Sequence, residues 1–184
     1  MKPAWRYVLL GGFFAGLADF IYPTVKTVMK GNPWFKPWKG VASGLLGKAA
    51  NDGGTEMAVL GAALHFFICI SAACILYFVV KSVKFLPRHW VPLAIIHGLA
   101  VLLAMNYVIV PLSRIGVVLY PLETLHVNAF WHIVLVGIPT GFFVARALRE
   151  SGLKTARWPS APALRDRAPA GSRSSDAPGR TARP

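Results

Sequence analysis

The sequence predicts an all-α, polytopic membrane protein: an antiparallel bundle of four transmembrane helices with an amphipathic interfacial segment in the first loop. Three observations predict it. Of 184 residues, 55% are hydrophobic and only 15% charged. Residues 57–80 contain no formally charged side chain, and a helix rising about 1.5 Å per residue needs about 20 such residues to cross a hydrocarbon core of roughly 30 Å. Further apolar runs lie at about 5–22, 90–112 and 125–148, divided by polar, basic or aromatic connections.

The first crossing follows Lys2 and carries Arg6 near its start. It reads as a retained helix and not a cleaved signal peptide, because no A-x-A site follows and the run leads into Asp19, Tyr22 and Pro23. Gly12, Gly16 and Asp19 share a face at i, i+4 and i+7, so a small-residue groove that admits a neighbouring helix also carries a carboxylate. In the connection over 24–56, Trp34, Phe35 and Trp38 among Lys36 and Lys39 read as an interfacial anchor. The apolar residues at 41, 42, 45, 46, 49 and 50 form a narrow helical stripe suited to a short surface helix. Gly47-Lys48 is no phosphate loop, since Ala42 and Ala49 stand where that pattern needs Gly and Ser or Thr.

In the second crossing His65 shares a small-residue face with Ala58, Gly61, Ala62, Cys69 and Ala72, which turns it toward other helices. Cys69 and Cys74 point about 140° apart and read as core thiols. The short basic stretch at 81–89 makes the second and third crossings antiparallel neighbours. His97 and Asn106 lie in the third, nine residues and so about 180° apart. Glu123 and His126 open the fourth, which carries His132 and a kink expected at Pro139.

The transmembrane domain thus spans 1–150, and 151–184 reads as a disordered basic cytoplasmic tail, rich in Pro, Ser, Ala, Gly and Arg, with few large apolar residues. The formal net charge is +13. With no zinc-finger or RNP pattern, nucleic acid is not the expected partner; the bilayer and its anionic headgroups are. Nine Lys and Arg flank the crossings on the side of the termini and six on the other, which predicts cytoplasmic termini in a bacterial inner membrane.

Counting depth along each crossing brings Asp19, His65, Asn106 and His132 to within about 5–12 Å of one membrane face. These four form the expected intramembrane polar cluster, with Glu123 and His126 at its rim and His97 nearer the opposite face. No G-x-S-x-G elbow or H-E-x-x-H motif is present, so the role expected is non-enzymatic, with no catalytic residues and neither cofactor nor metal. An accessory or binding protein whose polar layer holds the bundle together is the leading reading. A proton or cation conductor using Asp19 and His65 is an alternative. So is a haem b protein with His65 and His132 as axial ligands, or a metal protein built on Glu123-x-x-His126. A homo-oligomer or a membrane-protein partner fits the size of the bundle.

The segments AGLADFIY at 15–22, VASGLLGKAA at 41–50, LGAALHF at 60–66, MNYVIVPLS at 105–113 and HIVLVGIPTGFFVAR at 132–146 carry a family likeness. Over residues 5–148 the chain resembles small uncharacterised bacterial inner-membrane proteins of the YagU type. The resemblance implies four crossings and excludes the tail. It brings no chemistry with it.

Overall fold

A computed structural model describes residues 3–83, 89–116 and 122–152. The expected basic tail from 153 onward and the basic residues at 84–88 lie outside them. Among the described residues there is no strand, and four helical stretches are long and apolar enough to cross a membrane: Ala4–Met29, Thr55–Ser82, Trp90–Leu112 and Glu123–Glu150. Side chains such as Phe67, Ile75, Leu103 and Phe130 are half or more exposed on the outer surface, which is the surface a bilayer would cover. The protein is an integral membrane protein with an all-α four-helix bundle.

Helix α1 (Pro3–Met29) runs seven residues beyond the expected end near Tyr22, straight through Pro23. Proline removes the hydrogen bond to the Asp19 carbonyl, yet the helix continues; the next residue, Thr24, donates its hydroxyl to the Phe20 carbonyl at 2.8 Å. It stops at Gly31, whose φ of 72° suits a left-handed cap; its N–H bonds the Val28 carbonyl at 2.9 Å. The connection then folds into α2 (Lys36–Leu46) and the single turn α3 (Ala49–Asp52).

Trp38 departs from the interfacial role expected of this connection. It is 2% exposed, stacked on Phe20 with centroids 3.9 Å apart, and its indole N–H donates to Thr24 Oγ1 at 3.1 Å. An indole with its ring buried and its N–H satisfied belongs to a core, so Trp38 clamps α2 onto the bundle and does not sit in headgroups. Trp34 stays half exposed. Gly61 of helix α4 (Thr55–Ser82) makes the clamp possible: a Cβ there would overlap the Trp38 carbonyl.

The third crossing is α5 (Trp90–Ala104), a π-helical turn over Met105–Ile109, and α6 (Val110–Leu112). The fourth is α7 (Leu122–Trp131), a π-helical turn over His132–Gly137, and α8 (Ile138–Glu150). Each π turn just precedes a proline, Pro111 and Pro139. A proline ring clashes with the carbonyl four residues earlier, here Tyr107 and Leu135, and both lie inside the widened turns.

Helix α1 packs between α4 and α8, and α8 packs on α5. Lipid tails are as apolar as the helices, so close van der Waals contact between small residues holds such bundles together. Gly12 meets the backbone of Ile70; Gly98 meets Ile133; Gly137 and Gly141 straddle Ala94. At the end near the termini, Val8, Ala73, Val80, Leu93, Val144 and Leu148 form the main core. The second and third crossings run antiparallel but are not packed side by side as their short connection implies. Packing through glycine draws α5 to α8 instead, and an apolar groove of about 470 Å³ opens between α4 and α5.

Candidate functional site

The end of the bundle away from the termini holds a part-open cavity of about 230 Å³ that sets polar groups in a mostly apolar wall. Asp19 of α1, His65 of α4, Asn106 of the third crossing and His132 of the fourth all line it. Val41 of α2 forms part of its wall, so the first connection belongs to the site as well.

His65 is the most constrained member. Its side chain is 11% exposed, and Nε2 lies 2.9 Å from the Gly16 carbonyl. A carbonyl only accepts, so Nε2 carries the hydrogen, and the neutral ring presents Nδ1 as a lone pair. That Nδ1 lies 4.0 Å from Asp19 Oδ2. Two acceptors therefore face each other across the cavity wall, and a donor placed between them would satisfy both. Trp38 and Phe66 flank the ring at centroid distances of 5.1 and 5.5 Å and limit its rotation.

His132 is fixed the same way from another helix. Its Nδ1 lies 2.9 Å from the backbone carbonyl of Asn128, so Nδ1 donates and Nε2 remains the acceptor of the neutral ring. Asn128 also lines the cavity. It is absent from the polar cluster expected from the sequence, although an Asn one turn before a His in an apolar run is the signal that could have found it. Both Asn106 and His132 lie within the π-helical turns, a feature frequent at functional sites.

The other expected residues fall elsewhere. Glu123 and His126 are exposed on α7 and do not line the cavity. His97 is 4% exposed on the wall of the apolar groove, with no hydrogen-bond partner for Nε2. It lines the groove and not the cavity, in keeping with its half-turn offset from Asn106. Among the described residues no three His, Cys, Asp or Glu side chains gather as metal ligands would. The nitrogen that His65 leaves unbonded, Nδ1, is turned toward Asp19. No protein-family model matches the sequence, and no curated protein or solved structure matches it.

Proposed function

We propose that the protein is a non-enzymatic binding protein of the bacterial inner membrane, with cytoplasmic termini, whose polar cavity holds a small hydrogen-bonding ligand. One observation carries this reading: four separate crossings deliver Asp19, His65, Asn106 and His132 to one cavity. Here the side chains of His65 and His132 are anchored on backbone carbonyls, and their remaining lone pairs stay available.

The test is to purify the full-length chain in a mild detergent, extract it with solvent and identify bound small molecules by mass spectrometry. A species present near one per chain in the wild type and lost in Asp19→Asn and Asn106→Leu supports the reading. Identical extracts from all three proteins refute it.

The 4.0 Å approach of His65 Nδ1 to Asp19 favours a second reading, proton or cation movement. Against it, the space beyond the cavity is lined almost wholly by apolar surface. A pH-driven flux in vesicles that disappears in Asp19→Asn would establish conduction.

A further inference from the structure

The polar cavity and the apolar groove adjoin one another. Ile68 and Ala72 of α4 and Val101 and Met105 of the third crossing line both. From Met105 the groove follows α5 back to Leu93, about 18 Å at 1.5 Å per residue, the length of one lipid leaflet's chain in a core of roughly 30 Å. A polar chamber thus abuts a hydrocarbon-lined groove one acyl chain long.

The chamber presents acceptors from α1, α4 and the fourth crossing beside two amides, Asn106 and Asn128, that can donate as well as accept. The N–H groups of His65 and His132 are already given to the carbonyls of Gly16 and Asn128. What the neutral rings keep are lone pairs, and Asp19 adds a carboxylate. No Lys or Arg among the described residues lines the cavity to neutralise it. A head group that belongs here brings N–H donors and a positive charge, because unsatisfied acceptors are costly away from water. An anionic or phosphate-bearing head would meet Asp19 with no basic partner.

Resting on the binding reading above, we infer that the ligand is a single-chain amphiphile with a primary ammonium head. The ammonium donates to Asp19, His65 Nδ1 and His132, and the hydrocarbon chain lies in the groove between α4 and α5 and passes His97.

Native mass spectrometry of the full-length protein in phosphatidylcholine nanodiscs tests this, with hexadecylamine, hexadecanol, hexadecanoate and hexadecyltrimethylammonium as probes. The amine is expected to bind one per chain, on the order of ten-fold tighter than the alcohol or the quaternary ion, which lack either the charge or the N–H donors. Asp19→Asn removes that preference, bringing the amine down to the level of the alcohol. Ile96→Trp, placed on the exposed groove wall, weakens amine and alcohol together; thermal unfolding of both variants checks that they fold. Equal binding of amine and alcohol, unaffected by Asp19→Asn, overturns the ammonium head. Failure of every probe beside an Asp19-dependent co-purified species overturns the amphiphile and leaves the binding reading intact, whereas absence of both ends the two together. A dimer that Ile96→Trp dissociates would make the groove an interface with a second copy and overturn the proposal.

Discussion

Replacing Gly98 by alanine tests whether the third crossing is set by backbone contact with the fourth. A Cβ at Gly98 would lie 2.6 Å from Ile133 Cα and 2.8 Å from its nitrogen, while ordinary contact begins near 3.4 Å. The obstruction is backbone, so no side chain can swing aside, and the helices must separate by about 0.8 Å. Two effects oppose each other. Alanine favours a helix interior over glycine by about 1 kcal/mol, whereas overpacking a tight contact costs about 1–3 kcal/mol. With backbone on both sides the cost falls at the upper end, so Gly98→Ala should be less stable by about 2 kcal/mol. Gly137→Ala should behave alike, since its Cβ would overlap the Ala94 carbonyl. At Gly40 in α2 a Cβ would meet nothing within 4 Å, and Gly40→Ala should gain up to about 1 kcal/mol. Reversible unfolding in mixed micelles, followed by tryptophan fluorescence, measures all three. If Gly98→Ala and Gly137→Ala stabilise the protein as Gly40→Ala does, glycine packing does not hold these crossings together.

Trp38→Ala should cost about 3–5 kcal/mol in the same assay, from the lost stack on Phe20 and the void left behind. Thr24→Val removes the acceptor for the indole N–H together with the hydroxyl's bond to the Phe20 carbonyl and should cost about 1–2 kcal/mol, so a Trp38 effect no larger than this would place the residue outside the core. Pro139→Ala restores a backbone donor and should let the π turn revert to α-helix, rotating residue 132 relative to α8. In a cysteine-free background, a His132→Cys thiol should then react more slowly with a small polar methanethiosulfonate, and an unchanged rate would count against the role given to Pro139. Tyr77→Phe loses the 2.8 Å bond to Ser151 at the C-terminal end of α8 and should lower stability by about 1 kcal/mol, read against Ser151→Ala as its match.

The crossings were legible because hydropathy over about twenty residues is a strong signal, and the shared depth of Asp19, His65, Asn106 and His132 needed only a count along each helix. Pro23 concealed the true end of α1, since proline is tolerated within a membrane helix where it would end most others. Trp38 was hidden because aromatic residues among lysines look alike in a headgroup belt and in a cap. What separates the two is Phe20 and Thr24, far back along the chain. The groove was invisible for a related reason: a short connection sets direction but not contact, and the glycine seam had already claimed α5 for α8.

The π turns explain how one helix serves packing and cavity together. His132 and Gly141 are nine residues apart, so a regular α-helix would set them about 180° apart and send one of them toward lipid. A π turn inserts one residue without advancing the helix that follows, which reduces the offset to about 80°. Gly141 can then seat against Trp90 and Ala94 while His132 lines the cavity. Pro139 drives the insertion, because its ring needs the Leu135 carbonyl displaced. The proline therefore acts on the cavity from seven residues away without touching it: it makes the helix wide enough, at one turn, for an imidazole and a close-packing glycine to face their separate partners.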